Sequence, residues 1–233
     1  MKMALFGITG LKAGRHNLKD PRFDRVDEMV EADKKTYAQV EVVGEEDLLD
    51  ADSILASADK QPDLILKDLE FVETRLGRDP LAAERAALEK IQGLLENEKM
   101  LFNSGLAPAD LQAVAAHSFY TNKPITVAQP DELQAPDTLL LRAFKEAGYI
   151  SFLTVGGKEN RAWPIRQGTT AWEAAGSIHT DMQKGFIRAE IIGFEDFLQA
   201  GGETQAKRAG KQRLETKQYV MQDYDLVNFR FNK

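Results

Sequence analysis

The chain has 233 residues, 43% of them hydrophobic, which is enough for one large core or two small ones and too apolar for a disordered polymer. It has no cysteine and three histidines, which excludes disulfides and thiolate chemistry and leaves too few nitrogen and sulfur ligands for a zinc site. Residues 149–233 carry 12 basic and 10 acidic side chains, whereas residues 1–148 carry 18 and 27, so a polyanionic partner would have to meet the C-terminal part.

The first part of the chain predicts strand, loop, helix and strand. Met3–Ile8 is an apolar run that ends in glycines, as expected of a buried strand leading into a loop. Asp20 opens a stretch with apolar residues at helical spacing, and Val40–Val43 is a second strand that ends at Gly44. This order is typical of an α/β layer.

Residues 62–100 predict a helical hairpin with a narrow apolar seam. The helical pattern is interrupted at Gly77–Pro80. On both sides of this break, apolar residues recur at helical spacing, at Ile65, Leu69, Val72, Leu76, Leu81, Leu88, Ile91 and Leu95. The other faces are rich in Glu, Lys and Arg and are expected to be solvated. As an alternative, the first seam would pair between two chains, so the oligomeric state stays open.

The rest of the first predicted domain, residues 1–148, contains three short elements. These are a helix over Pro108–Ala116, a strand over Ile125–Ala128, and a helix over Thr138–Ala147 that Gly148 is placed to end.

The final 85 residues predict a compact α+β unit of small-barrel or β-grasp size, which makes residues 149–233 the second domain. Its predicted strands are Tyr149–Val155, Gly185–Ile192, Tyr219–Gln222 and Leu226–Phe231, with a short helix over Trp172–Ile178. Trp163 and Trp172 are interpreted as core anchors.

The segment from Thr170 to Glu190, TAWEAAGSIHTDMQKGFIRAE, resembles the signature of the C-terminal domain of the YchF family of P-loop ATPases and GTPases. The similarity continues to Phe229-Arg230-Phe231 and covers nearly all of the last 85 residues. It implies a TGS-type β-grasp fold, in a family associated with ribosomes, translation and stress responses. The chain has Tyr224 where that family usually has glycine, so we expect this turn to be built differently.

The N-terminal part is similar to the family's first strand and phosphate loop over Phe6–Arg15. A working loop reads G-x-x-x-x-G-K-[ST], because backbone N–H groups surround a phosphate, the lysine reaches the outer phosphates and the hydroxyl binds magnesium. Here Gly10 is followed by three residues, Gly14, Arg15 and His16, so the loop is one residue short and lacks both functional side chains. The resemblance therefore implies a shrunken P-loop-type layer.

Two further family motifs survive in altered form. The magnesium-linked D-x-x-G becomes Glu41-Val42-Val43-Gly44, and the base-reading N-x-x-E becomes Gln129-Pro130-Asp131-Glu132. The vestigial nucleotide-binding residues are thus predicted to be Gly10, Gly14, Arg15, Glu41, Gly44 and Glu132. We expect no catalytic residue, metal or cofactor; the alternative is a weak ATP- or GTP-binding protein with magnesium, or a residual nucleotidase that uses Arg15 and Glu41.

A non-catalytic module that binds RNA, the ribosome or a protein through the C-terminal domain fits these features best. The predicted partner surface comprises His179, Lys184, Arg188, Lys207, Arg208, Lys211, Arg213 and Lys217. His179, Thr180 and Asp181 follow a short helix, and we interpret them as capping and turn residues instead of a catalytic cluster. No stretch is long enough to cross a bilayer, so we expect no membrane partner and a cytoplasmic location.

Overall fold

The protein is described by a computed structural model that covers residues 1–232. The strands over this range are β1 (Lys2–Phe6), β2 (Gly14–Asn17), β3 (Ala32–Thr36), β4 (Gln39–Val43), β5 (Ser53–Ser57), β6 (Ile125–Ala128), β7 (Tyr149–Thr154), β8 (Gly157–Arg166), β9 (Phe186–Ile192), β10 (Arg213–Glu215) and β11 (Leu226–Phe231). The α-helices are α1 (Pro21–Met29), α2 (Gln61–Leu76), α3 (Ala82–Glu96), α4 (Pro108–Ala113), α5 (Pro136–Glu146), α6 (Ala171–Ile178), α7 (Thr180–Lys184), α8 (Phe194–Ala200) and α9 (Glu203–Arg208), and short 3-10 helices lie at Glu45–Asp47 and Glu132–Gln134.

The chain is a mixed α/β protein, as predicted, and it divides into two compact units. Unit 1 comprises Met1–Arg15 and Glu41–Leu139, and unit 2 comprises His16–Val40 and Leu140–Lys233. The units thus differ from the predicted domains mainly in residues 16–40, which belong with the C-terminal part. Whether residues 1–148 and 149–233 fold as separate domains stays a prediction.

Unit 1 contains the sheet with the strand order β2-β4-β1-β5-β6, of which β4, β1, β5 and β6 run parallel. Strand β1 pairs in parallel with β4 on one side and with β5 on the other, and β5 pairs in parallel with β6. A buried core including Phe6, Ile54 and Leu64 packs against it. Because β4, β1, β5 and β6 are parallel, the chain leaves these four strands at the same edge of the sheet.

The helical hairpin is confirmed as α2 and α3. Ile65 and Val72 of α2 pack in one buried cluster with Leu88, Ile91 and Leu95 of α3, so the seam closes within a single chain. Leu81 was wrongly assigned to this seam. It precedes the first turn of α3 and is 83% exposed.

Unit 2 contains a sheet in the order β10-β9-β11-β7-β8-β3. Its middle strands, β11 and β7, run parallel, and each pairs antiparallel with its outer neighbour, β9 and β8 respectively. Three alanines of α6 pack against this sheet, in a core that includes Phe152, Ile191 and Phe229. Within residues 149–232 the first strand, β7, and the last strand, β11, are parallel neighbours, and α6 crosses the sheet that contains them. This is the predicted β-grasp arrangement.

Residues 16–40 extend this sheet by one strand. β3 pairs in parallel with β8, and the buried side chain of Asn160 donates to the Asp27 carboxylate and the Val30 carbonyl. The same side chain accepts a hydrogen bond from the Gly156 N–H, so its polar groups are well satisfied.

Several predicted boundaries need correction. The strand predicted at Tyr219–Gln222 is wrong, because only an isolated bridge between Thr170 and Val220 forms there. The predicted helix from Pro108 ends at Ala113, and Trp172 is 39% exposed and so is not a core anchor. No helix in residues 1–232 has the length and apolar character needed to cross a bilayer.

Candidate functional site

The loop after β1 lies at the edge of the unit 1 sheet where ligands bind in open parallel sheets. It begins at Gly7, whose φ of +65° lies in the left-handed region. A side chain at this position would come within 2.6 Å of the Ser57 Oγ and 2.4 Å of the Lys60 Cγ, so only glycine fits without rearrangement. Sequence reasoning missed Gly7, although it is the first glycine after a buried strand.

A carboxylate accepts a hydrogen bond from the backbone N–H group at the start of this loop. The Gly7 N–H donates to the Glu45 carboxylate at 2.9 Å, and Glu45 itself begins the 3-10 helix that follows Gly44. Glu45 and Glu46 are exposed. The loop entrance is therefore negatively charged.

The predicted phosphate-loop residues lie further along and do not precede a helix. Gly10 has a φ of +94° with open space around it, and Gly14 and Arg15 form the start of the exposed edge strand β2. Every residue from Gly7 to Asp20 is described, and no helix begins before Pro21. This loop is therefore not followed by a helix of its own, although the N-terminus of α2, with Lys60 as its N-cap, lies beside Gly7.

The remaining predicted nucleotide residues are only partly brought together. Gly44 and Glu132 follow the carboxyl ends of β4 and β6, at the same sheet edge as Gly7. The Glu132 carboxylate accepts a hydrogen bond from the Gln129 N–H at 2.9 Å. Glu41 lies within β4, opposite Lys2, and its side chain is exposed. Residues 1–232 contain no cluster of His, Cys, Asp and Glu that would hold a metal ion.

In unit 2, the signature segment forms two capped helices. Thr170 and Glu173 cap α6 reciprocally, as a capping box, and the His179 Nδ1 accepts the Asp181 N–H at 3.1 Å to cap α7. The His179 ring also lies 3.5 Å from the Asp181 carboxylate. These contacts support the interpretation of His179 as a capping residue.

The predicted basic surface separates into paired and unpaired side chains. Lys207 pairs with Glu203 at 2.5 Å, and Lys211 pairs with Asp196 at 2.9 Å. Arg213 lies 3.4 Å from the Glu215 carboxylate and donates to the Tyr219 hydroxyl.

The other cations of this surface are Lys184, Arg188, Arg208 and Lys217. All four are exposed, and none has an ion-pair partner within residues 1–232. Contacts with a polyanion would cost these four no existing ion pair.

A cluster around Tyr224 was also missed, and it corrects the expectation for this turn. Tyr224 itself adopts a φ of +65°, so the tyrosine takes the backbone conformation that a glycine would have. The Arg22 guanidinium lies 3.8 Å from the centre of the Tyr224 ring and hydrogen-bonds both Asp20 and Asp223. Phe194 packs edge-on against the ring at 5.6 Å. Aromatic packing thus holds a strained turn.

Burial alone would raise the pKa of Asp20, but hydrogen bonds and charge from Arg22, with the charge of Lys145, lower that pKa overall. Asp20, which is the N-cap of α1, therefore stabilises unit 2.

Comparison with known proteins places these features in a family. A family model for the C-terminal domain of YchF GTPases, described as a protein of unknown function (DUF933), matches residues 149–232. The "Ribosome-binding ATPase YchF" of Haemophilus influenzae is 35% identical over 202 residues, covering 64% of this chain and 56% of that protein. The protein of the same name from Escherichia coli O157:H7 is 56% identical over 89 residues, covering 38% of this chain and 24% of that protein.

A solved structure has the same fold. The YchF GTPase of Schizosaccharomyces pombe superposes with a TM-score of 0.76 at 19% identity, covering 93% of this chain and 86% of that one. The chain spans about half the length of the first of these curated relatives, 56%. On the C-terminal match, these relatives and the shared fold, the chain is similar to the YchF family, and residues 149–232 match the C-terminal domain of that family.

Proposed function

We propose that this chain is a non-catalytic member of the family that binds RNA, the ribosome or a protein partner through unit 2, without a nucleotide as a working ligand. The observation that carries the proposal is the hydrogen bond between the Gly7 N–H and the Glu45 carboxylate. An acceptor with a fixed negative charge takes the place that a phosphate oxygen needs.

Electrostatics at this loop oppose a nucleotide. A phosphate would have to displace Glu45 from the Gly7 N–H and approach the neighbouring charges of Glu46 and Asp47. Like charges a few ångströms apart repel each other even near a protein surface, where the effective dielectric constant is about 20. The loop therefore favours its own carboxylate over an external anion.

The side chains also do not fit a nucleotide with magnesium. Arg15 and His16 stand where a phosphate loop has lysine and a hydroxyl residue, and both lie in the strand β2. An imidazole is a poor ligand for magnesium, which prefers oxygen, and a guanidinium does not replace the point charge of an ammonium group.

Unit 2 supports the binding role. Its signature segment is well ordered by its own caps, and four exposed cations are left without acidic partners in the described part of the chain. Relatives that share this region carry the name "Ribosome-binding ATPase". We therefore expect the ribosome or an RNA to be the partner of this surface.

Co-sedimentation with purified bacterial ribosomes tests this function, over a range of salt concentrations and with or without ATP or GTP. The full chain is expected to bind equally well in both conditions, because we propose no nucleotide-dependent state. If RNA phosphates are contacted, Arg208→Ala and Lys217→Ala should each reduce the salt slope by about 1. Lys207→Ala and Lys211→Ala are matched controls with little effect, since their ion pairs are already formed.

Binding that requires a nucleotide would contradict this proposal. A complete absence of ribosome and RNA binding would exclude those two partners and leave a protein as the partner. The second candidate, a residual nucleotidase, is favoured by the names of the relatives and by the retained parallel sheet edge. It predicts magnesium-dependent hydrolysis that disappears in Arg15→Ala and persists in Lys207→Ala.

A further inference from the structure

An open groove of about 900 Å³ lies in unit 2, between α7, the start of β9 and the end of β11. Its apolar lining comes from Met182, Phe186, Ile187 and Phe231. Lys184 lies on its rim, and Arg188 follows directly after Ile187. Both cations belong to the partner surface predicted from the sequence, which did not include the apolar groove beside them.

An irregularity in the sheet exposes the apolar floor of this groove. Arg188 is opposite Arg230, but the next pair along is Phe186 with Phe231, so Ile187 has no residue opposite it on β11. Such bulges turn a side chain away from its regular position. On the other side, β10 pairs only with residues 189–191 of β9, and Ile187 is left 45% exposed.

The charges around the groove are not balanced. Lys184 has no acidic partner within residues 1–232, and the Arg188 guanidinium bonds only the neighbouring Ile187 carbonyl in that range. The one carboxylate of the lining, Asp181, lies 3.5 Å from the His179 ring. The nearby Arg230 is neutralised by Glu190. Two uncompensated positive charges thus stand beside an exposed aliphatic side chain.

We propose that this groove binds an acidic segment of a partner protein, which inserts one bulky apolar side chain against Met182, Ile187 and Phe231 and places carboxylates beside Lys184 and Arg188. The inference rests on the proposed binding function and names the partner chemistry for one part of the surface. A single-stranded RNA fits less well, because Met182 and Ile187 are not aromatic and Phe186 is only 6% exposed. Among these four apolar residues only Phe231 offers an accessible ring on which a base could stack.

Selection of binders from a random peptide library against the immobilised full chain tests this proposal. Enriched peptides are expected to combine an aromatic or large aliphatic residue with two or more flanking carboxylates. The best of these peptides, made synthetically, should bind at least about tenfold more weakly to Ile187→Glu, because that variant places a negative charge beneath the apolar side chain of an acidic peptide. It should bind several-fold more weakly to Lys184→Glu. The matched control is Leu214→Glu, an aliphatic residue that is 61% exposed on β10 and outside the groove.

The groove proposal fails if the enriched peptides lack acidic residues, or if Ile187→Glu and Leu214→Glu weaken peptide binding equally. A labelled single-stranded RNA that binds and is lost in Ile187→Glu would assign the groove to RNA instead. Unchanged melting temperatures of the variants exclude misfolding as the cause. Ribosome co-sedimentation separates the two proposals: if Ile187→Glu and the native chain bind ribosomes alike while no acidic peptide is selected, the groove inference fails and the proposed function stands.

Discussion

At the scale of single residues, Tyr224 shows how a position can break a local rule when its surroundings compensate. A non-glycine residue in the left-handed region costs roughly 1–2 kcal/mol. Here the side chain is buried, stacked by Arg22 and packed by Phe194. The sequence predicted a change at this turn, but the compensating Arg22 is about 200 positions away along the chain and was not readable from it.

Substitutions at Tyr224 separate strain from packing. Tyr224→Ala keeps the strained conformation and removes the buried ring, so the free energy of unfolding should fall by about 3–5 kcal/mol. Tyr224→Gly loses the same packing but relieves the strain, and it should be about 1 kcal/mol more stable than the alanine variant. Urea unfolding measures both, and an alanine variant as stable as the glycine variant would show that this backbone is not strained.

Asp20 gives a prediction of pH dependence. Its pKa in the folded protein is lowered from an ordinary value of 3.8 by Arg22 and Lys145, which outweigh the opposing effect of burial. A carboxyl group with a lowered pKa stabilises the folded state above its unfolded pKa and loses that contribution as the pH falls. Its stabilising effect should therefore be complete at neutral pH and decline below about pH 4.

Asp20→Asn keeps a side chain that caps helices well, removes the charge, and replaces one of the two oxygens that accept hydrogen bonds from Arg22 with an amide donor. The variant should be less stable than the native chain by about 1–3 kcal/mol at pH 7, as expected for hydrogen bonds to a charged group. The difference should shrink when unfolding is measured at pH 3. A difference that stays constant between pH 7 and pH 3 would mean that the charge of Asp20 does not stabilise the fold.

At the scale of elements, strong periodicity was sufficient to predict the helical hairpin, and weak or polar patterns were not sufficient for several strands. β2 and β3 are edge strands made almost entirely of polar residues, GRHN and ADKKT, so no apolar alternation marks them. β8 was missed because Asn160 takes one of its buried positions. A buried asparagine is stable there only through long-range hydrogen bonds, which a local pattern does not contain.

The hairpin offers a matched pair of leucines. Leu88 is fully buried in the seam, so Leu88→Ala should lower the free energy of unfolding by about 2–5 kcal/mol. Leu81 continues the same sequence pattern but is 83% exposed, so Leu81→Ala should change it by less than about 0.5 kcal/mol. Denaturant midpoints measure both, and similar losses in the two variants would contradict the assignment of Leu81 to the surface.

At the scale of the whole molecule, the mixed α/β class and the family were predictable, but the membership of residues 16–40 in unit 2 was not. Arg22 bonds Asp223, 201 positions further along the chain, and Ala32 of β3 is paired with Gly157 of β8, 125 positions further along. The altered phosphate loop was likewise visible as missing side chains. The hydrogen bond from the Gly7 N–H to the Glu45 carboxylate could not be predicted, because it joins two loops that meet only at one edge of the folded sheet.

The most direct test of the account is the melting temperature of the full chain with several millimolar ATP or GTP, with and without magnesium. We predict no change, because a ligand stabilises a protein only if it binds the native state. The relative from Haemophilus influenzae serves as the positive control. A magnesium-dependent rise of several degrees, as expected for a ligand present at roughly a hundred times its dissociation constant, would contradict the proposal that this chain works without a nucleotide.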